Sequence, residues 1–166
     1  MNSNYLKSYL IDDIVYSISN KNTFNSFNLI TKKQINRLDI FDDYINQYSY
    51  PTSFIFLNGF FYLAFSNATI IKFDYDGNID WSISFNDILK TPLKIQSQNI
   101  IVMLSDRILS IDHLNGNINW DFQYSNDNLV LSDGGFLINV NNLIFFILPN
   151  KNIGNIDTLI GKKINS

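Results

Sequence analysis

Short apolar runs of strand length alternate with polar turns along the whole chain. Three of these runs are "DIVYSIS" (13–19), "FFYLAF" (60–65) and "GGFLINV" (134–140). Asn58 and Gly59 directly precede the second run, and Asn-Gly is a strong hairpin signal because both central residues of a type I′ turn need positive φ. The pattern predicts short antiparallel strands joined by tight turns.

The composition also favours strands over helices. All fifteen acidic residues are Asp, none is Glu, and only two residues are Ala. Glu and Ala are among the best helix formers, whereas the abundant Ile, Phe, Tyr and Asn favour strands and turns. AT-rich codons would produce part of this bias, so the all-β prediction rests on the periodicity as well.

A segment of six residues recurs along the chain at a nearly constant interval. "DGNIDW" (76–81) is followed by "NGNINW" (115–120) and then by "IGNIDT" (153–158), and their glycines are 39 and 38 residues apart. A repeat of about forty residues is typical of the four-stranded blades of a β-propeller.

A weaker copy lies upstream in "KKQINRL" (32–38), where Ile35 takes the place of Ile79 and Arg37 that of Trp81. The four copies predict an all-β fold of four four-stranded antiparallel blades within a single partial propeller domain that spans residues 1–166. The predicted blades cover residues of about 5–42, 50–86, 91–125 and 129–162.

The stretch "FDYDGNIDW" (73–81) allows two interpretations. Its aspartates surround Gly77 as carboxylates do in a calcium loop, or they flank an Asp-Gly hairpin. Lys72 stands where the first calcium ligand is needed, and the equivalent stretch of the third blade keeps the turn but replaces the acids by Asn115, Asn117 and Asn119. The repeat therefore favours a structural hairpin, and no metal site is predicted.

The remaining chemistry-bearing residues do not form a recognisable site. His113 is the single histidine and is predicted to be an exposed turn residue, so no Ser-His-Asp set can be assembled. "SDGG" (132–135) is interpreted as a hairpin because no helix follows that could hold a phosphate. The chain has no cysteine, which excludes a thiolate metal site and a cysteine nucleophile. We predict no catalytic residue and no cofactor.

Charge and hydropathy limit the partners. The net charge is −3 with a pI near 4.9 and the basic residues are scattered, which argues against nucleic acid and against a polybasic membrane patch. No apolar run approaches the roughly 20 residues of a transmembrane helix. The first residues show no signal-peptide pattern, so we expect that the protein stays where it is made or that its true N-terminus lies upstream.

A resemblance to a known family follows from the repeat. Asp112, Gly116 and Trp120 form a D-x-x-x-G-x-x-x-W frame, which resembles the tryptophan-docking repeat of quinoprotein-like (PQQ-repeat) β-propellers. The second blade has a frame one residue shorter, and the fourth is aligned on its glycine, with Leu148 for the acid and Thr158 for Trp. The residues predicted to dock the blades are Asp74, Gly77, Trp81, Asp112, Gly116, Trp120 and Gly154.

The resemblance implies a ring of seven or eight blades, of which this chain supplies about half. Missing blades or a second copy would then close the ring. It also implies one of two roles: a non-enzymatic scaffold, or a dehydrogenase that holds pyrroloquinoline quinone and calcium. The absence of Glu and Cys argues against the dehydrogenase, whose active site uses a Glu-Asn-Asp calcium set and commonly a vicinal cysteine pair.

We therefore expect a protein-binding scaffold similar to the BamB family of outer-membrane assembly lipoproteins. Its implied partner is an outer-membrane assembly barrel protein, and its implied location is the periplasmic face of the outer membrane. No signal peptide or lipid-bearing cysteine is visible in this sequence. A cytoplasmic propeller adaptor and a fragment of a quinoprotein dehydrogenase remain the alternatives.

Overall fold

The computed structural model describes residues 5–19, 21–39, 49–124, 136–147 and 153–164, and every regular element within these ranges is a β-strand. No helix in the described ranges is long and apolar enough to cross a membrane. The strands are β1 (Tyr5–Ile11), β2 (Ile14–Ser19), β3 (Phe24–Asn28), β4 (Lys33–Leu38), β5 (Pro51–Leu57), β6 (Phe60–Phe65), β7 (Thr69–Phe73), β8 (Ile79–Ser84), β9 (Lys94–Gln96), β10 (Asn99–Met103), β11 (Arg107–Asp112), β12 (Ile118–Gln123), β13 (Phe136–Val140), β14 (Leu143–Ile147) and β15 (Ile153–Asp157).

The strands form four separate sheets in which each strand pairs antiparallel with its neighbour in sequence. The orders are β1-β2-β3-β4, β5-β6-β7-β8, β9-β10-β11-β12 and β13-β14-β15. We refer to these sheets as blades 1 to 4. The predicted fold class, all-β with antiparallel blades, is confirmed. In blade 4 the described residues show three strands, and a single bridge between Ile156 and Lys163 stands where a fourth strand begins.

The chain divides into two compact units, residues 1–86 with blades 1 and 2 and residues 87–166 with blades 3 and 4. Within each unit the first strands of the two blades contact each other, β1 with β5 and β9 with β13. Tyr9 in β1 donates a hydrogen bond from its hydroxyl to the carbonyl oxygen of Phe54 (3.0 Å). The Asn139 amide in β13 donates in the same way to Ile95 (3.2 Å).

An aromatic core joins blade 1 to blade 2. Alternate residues of a strand point to the same face, so Tyr16 and Phe24 of blade 1 share one side of their sheet and meet Phe61 and Phe73 of blade 2. The ring centroids of Tyr16 and Phe61 are 5.0 Å apart, and those of Phe24 and Phe73 are 5.1 Å apart. The prediction that β6 is buried on both faces is confirmed, because nearly all of its side chains are buried.

An aliphatic core joins blade 3 to blade 4. Ile101, Met103 and Ile108 of blade 3 pack with residues of blade 4 that include Ile144 and Phe146, all of them buried. Each of these strands also buries residues of the opposite parity, as Ile100 and Val102 do in β10. A strand buried on both faces reads as a continuous apolar run, which is why the central strands of this sequence do not alternate.

Candidate functional site: the turns that close the blades

The third and fourth strands of each blade are joined by a turn that we call the closing turn. In blade 3 it runs from Asp112 to Gly116. The Asp112 carboxylate accepts the backbone N–H of Leu114 (2.7 Å), and the Asp112 carbonyl accepts the N–H of Gly116 (2.9 Å). Gly116 has φ of +76°, a conformation that glycine adopts without steric cost. The Asp and the Gly of the repeat thus build one hydrogen-bonded turn.

The acidic stretch of blade 2 is the same turn shortened by one residue. One oxygen of Asp74 accepts the backbone N–H groups of Asp76 and Asn78, each at 2.9 Å, and the other oxygen accepts the Asn78 side-chain amide at 2.9 Å. Gly77 has φ of +87°. Desolvation raises the pKa of Asp74, but the hydrogen bonds from Asn78, Asp76 and Gly77 outweigh it and hold that pKa below its ordinary value. The hairpin interpretation of this stretch is confirmed.

The other aspartate of that stretch is held by a buried cation. Lys72 lies opposite Trp81 in the β7–β8 pair, and its ammonium is 2.6 Å from the Asp80 carboxylate and 4.0 Å from the centroid of the Phe60 ring. The Lys72 side chain is buried, while that of Asp80 is exposed. Asp74 and Asp80 are therefore engaged with protein groups, and the described residues contain no cluster of three or more potential metal ligands.

The closing turn of blade 4 is not the one that the sequence repeat indicated. It runs from Asp157 to Gly161, whose φ is +63°. The Asp157 carboxylate accepts the N–H of Leu159 (2.8 Å), and its carbonyl accepts the N–H of Gly161 (2.9 Å), as in blade 3. The assignment of Gly154 as the turn glycine, with Leu148 for the acid and Thr158 for Trp, is therefore wrong by one strand. Leu148 itself lies outside the described residues.

Gly154 has a different structural reason to be glycine. It lies inside β15, paired with Phe146 of β14, and a Cβ atom added there would lie 2.1 Å from Cζ of the Phe146 ring. No side chain fits at that distance, so Gly154 makes room for a core aromatic ring rather than for a turn.

Blade 1 closes its turn with different residues. The Asn28 side chain accepts the N–H of Thr31 (2.8 Å), and Lys32 takes the left-handed position of the glycine with φ of +54°. Asn36 lies opposite Ser26, two residues before the start of the turn, as Trp120 lies opposite Ser110 in blade 3. The residue at the tryptophan position of blade 1 is therefore Asn36 and not Arg37.

The same shift corrects the second assignment in blade 1. Gln34 lies opposite Phe27 as Ile79 lies opposite Phe73, so Gln34 and not Ile35 takes the place of Ile79. The irregularity in pairing that follows each tryptophan position recurs in blades 1, 2 and 3. A bulge shifts every later residue by one position, which a comparison of letters does not reveal.

Trp120 connects blade 3 to the closing turn of blade 4. Its indole N–H donates a hydrogen bond to the carbonyl oxygen of Thr158 (2.8 Å). The ring lies directly over Gly161, where an added Cβ would be 2.5 Å from Cγ of Trp120. Trp81 of blade 2 is half-buried and packs at 6.0 Å against the Tyr62 ring of its own blade.

His113 is not the exposed turn residue that the sequence suggested. It follows Asp112 directly in the closing turn but is only 3% exposed, and its backbone N–H donates to the carbonyl of Gln98 at 3.4 Å. The first position after the capping residue points inwards in blade 4 too, where Thr158 is buried. The segment 132–135, predicted to be a hairpin, lies outside the described residues.

The second position after the capping residue points to solvent. Ile30, Leu114 and Leu159 occupy it in blades 1, 3 and 4 and are 71%, 60% and 72% exposed. Sequence reasoning missed this feature and missed Asp157 and Gly161, although the D-x-x-x-G spacing of "DTLIG" would have identified the fourth turn.

Antiparallel four-stranded sheets with a capped closing turn and an inter-blade tryptophan define the class of this protein as a β-propeller of the quinoprotein-like type. No protein-family model matches the sequence, and no curated protein sequence matches it. Solved structures do match. BamB from Moraxella catarrhalis superposes with a TM-score of 0.70 at 10% identity, over 99% of this chain and 49% of its own.

Two further structures set the scale of the likeness. The quinohemoprotein alcohol dehydrogenase from Comamonas testosteroni matches with a TM-score of 0.66 at 11% identity, over 96% of this chain and 34% of its own. The computationally designed Ika4 protein matches with a TM-score of 0.66 at 13% identity, over 93% of this chain and 91% of its own. The chain thus spans about half the length of BamB and nearly all of Ika4. The resemblance is confirmed as one of fold.

Proposed function

We propose that this chain is a non-enzymatic propeller scaffold that binds protein partners through the closing turns of its blades. The observation that carries the proposal is the exposed aliphatic side chain at the second turn position of three blades, Ile30, Leu114 and Leu159. Blade 2 has Asp76 at the equivalent position. Since a polar residue is accommodated there, the fold does not require an aliphatic one.

The closing turns are suited to binding because their backbones are fixed before a partner arrives. Each capping side chain accepts at least one backbone N–H within its turn, as Asp112 and Asp157 do. A preorganised loop loses little conformational entropy on association, and apolar side chains on such loops gain free energy when a partner covers them. A set of short, capped turns with apolar tips is therefore better explained by protein contacts than by chemistry.

The finer proposal is a role similar to that of BamB, with a barrel protein of outer-membrane assembly as the partner and the periplasm as the location. The TM-score of 0.70 to BamB and the two D-x-x-x-G-type tryptophan frames support it. Fractionation of the source cells, followed with an antibody to this chain, tests the location. Recovery of the chain in the cytoplasmic fraction would favour a cytoplasmic adaptor instead.

The binding test uses the purified chain and a purified outer-membrane assembly barrel protein in a titration by biolayer interferometry. We expect saturable binding, weakened at least about tenfold when Leu114→Asp and Leu159→Asp are combined, because two apolar contacts are replaced by desolvated charges. Ile88→Asp is the matched control, an exposed aliphatic residue between β8 and β9. Unchanged affinity of the double variant would remove the closing turns from the proposal, and no binding of the unaltered chain would remove the BamB-like role.

A quinoprotein dehydrogenase is the competing function, because a dehydrogenase of that class matches this chain with a TM-score of 0.66. Titration of the chain with pyrroloquinoline quinone and calcium, followed by absorbance and by thermal stability, separates the two. Saturable binding with a raised melting temperature would contradict the non-enzymatic proposal.

A further inference from the structure

Blade 4 presents an apolar sheet face that no described residue covers. We call it the front face, and it carries Ile138, Val140, Phe145 and Ile147, which alternate along β13 and β14 with the residues that face blade 3. Ile138, Val140 and Ile147 are all exposed. Charged residues are absent from these four positions, so the face does not have the polar surface expected of a terminal repeat that faces water.

The equivalent positions in the earlier blades are buried. Phe145 pairs with the residue two places before its capping aspartate, and the same pairing identifies Tyr16, Tyr62 and Ile101 as its equivalents. Tyr16 is 6% exposed, and Tyr62 and Ile101 are fully buried. The next inward position shows the same contrast, because Met103 is fully buried and its equivalent Ile147 is 40% exposed.

Blade 1 presents the complementary surface, which we call the back face. It is recessed, with a cavity of about 290 Å³ whose lining includes Ser8, Val15, Ser17 and Phe27. The recess has a simple origin. Ser8 and Ser17 occupy the positions that Phe54 and Leu63 hold in blade 2, as the strand pairings show. Small side chains thus replace large ones on this side of blade 1.

Apolar residues on the back face also lack cover. Leu10 is 63% exposed and Phe27 is exposed too. Their equivalents in blade 2 are Phe56 and Phe73, which pack on blade 1 with ring centroids 6.1 Å from Tyr9 and 5.1 Å from Phe24. The back face of blade 1 therefore keeps part of an inter-blade contact surface without the blade that would pack on it.

We propose that the front face of blade 4 docks on the back face of blade 1 of a second copy of this chain. In the contact between blades 1 and 2, Tyr16 packs on Phe61 at 5.0 Å. The equivalents in the proposed contact are Phe145 and Val15, and Val15 lies in the recess. The bulkiest side chain of the front face thus meets the cavity of the back face.

Two observations favour a second copy as the occupant. The chain matches 49% of BamB, so two copies supply the content of one such propeller. It also matches 91% of the Ika4 chain, which shows that a crystallised chain of about this extent carries this fold. Each front face engages the back face of the other copy, so two identical head-to-tail contacts form a closed two-fold assembly.

The test is the solution mass of the 166-residue chain by light scattering after size-exclusion chromatography. We expect about 38 kDa, twice the 19.2 kDa of one chain. Leu10→Asp on the back face and Val140→Asp on the front face should each give a monomer, because each variant alters both contacts of the pair. Both residues are exposed within one chain, so circular dichroism should show an unchanged β spectrum. Leu114→Asp is the control and should remain a dimer.

Mixing the two monomeric variants tests the head-to-tail geometry. The Leu10→Asp chain keeps an intact front face and the Val140→Asp chain keeps an intact back face, so an equimolar mixture should recover a species of about 38 kDa through one unaltered contact. A monomeric unaltered chain would overturn the proposal and assign the faces to other blades. A Leu10→Asp variant that remains dimeric, or a mass that grows without limit with concentration, would overturn it as well.

Discussion

The contact between Trp120 and Gly161 yields a sharp prediction about what holds blade 3 to blade 4. Replacing Gly161 by Ala adds one methyl group at a position with φ of +63°, and its carbon would lie 2.5 Å from Cγ and 2.6 Å from Cδ2 of the Trp120 ring. Neither the ring nor the turn is free to move, because the indole N–H is bonded to Thr158 at 2.8 Å.

Two costs add in the Gly161→Ala variant. The left-handed conformation costs a non-glycine residue about 1–2 kcal/mol. The overlap with the indole adds about 1–3 kcal/mol, as inserted methyl groups do in a packed core. We expect a total loss of about 3 kcal/mol. Gly59→Ala is the reference for the first cost alone, since Gly59 has φ of +84° and no atom within 4 Å of the added carbon, and it should cost about 1 kcal/mol.

The assay is urea unfolding followed by far-UV circular dichroism, arranged as a double-mutant cycle with Trp120→Ala. Trp120→Ala alone should cost about 3 kcal/mol, at the low end for buried tryptophan because this side chain is partly exposed. In its absence Gly161→Ala should cost only about 1 kcal/mol, which gives a coupling of about 2 kcal/mol. Additive losses within experimental error would show that the ring does not rest on Gly161 in solution.

Three further predictions concern the blades themselves. Gly154→Ala should destabilise the unit of residues 87–166, because its methyl group overlaps the Phe146 ring, and Phe146→Leu should relieve part of the loss in an unfolding assay. Asp74→Asn should lower the stability at pH 7 and have no effect in strong acid. A lowered folded-state pKa means that the carboxylate stabilises the fold above about pH 4 and loses that contribution as the pH falls further, so unfolding curves at pH 7 and pH 2 that differ equally from the unaltered chain would contradict it. Asp80→Ala should cost more than Lys72→Met, because the former leaves a buried ammonium without its carboxylate while the latter leaves an exposed carboxylate in water; melting temperatures in the reverse order would refute this.

The sequence was sufficient to predict the blades because their signals are local. Asn58 and Gly59 adopt the left-handed backbone that hairpin turns require, and Gly77 and Gly116 lie in the two turns predicted for them. Strand periodicity and turn chemistry act over a few residues, so they remain legible without an alignment.

The fourth blade could not be aligned from letters because its spacing departs from the repeat. Asp157 follows Asp112 by 45 residues, whereas Asp112 follows Asp74 by 38. The string Gly-Asn-Ile after residue 153 restores the expected interval by coincidence and attracts the alignment to Gly154. The physical requirement is a capping group four residues before a left-handed position, and Asp157 and Gly161 satisfy it. In blade 1 the same requirement is met by Asn28 and Lys32, a pair without a conspicuous motif.

The exposure of the turn tips and the burial of His113 could not be predicted either, because both depend on which way successive turn residues point. A four-residue step from cap to glycine places the first residue towards the sheet and the second towards solvent, as Thr158 and Leu159 show. That alternation follows from the backbone path of the turn and leaves no trace in residue type, since a histidine and an isoleucine are both acceptable in a loop.

The two units solve the problem of holding neighbouring blades together in different ways, and this explains why the docking motif is incomplete. In residues 87–166 the interface is aliphatic and Trp120 reaches across it to bond Thr158. In residues 1–86 the interface is a cluster of aromatic rings centred on Phe61, whose centroid is 5.0–5.7 Å from those of several neighbours. Aromatic pairs contribute about 0.5–1.5 kcal/mol each beyond the area they bury. Several such pairs exceed what one docked indole supplies, so Asn36 at the tryptophan position costs blade 1 little, and the loss of a motif in one blade does not imply the loss of its cohesion.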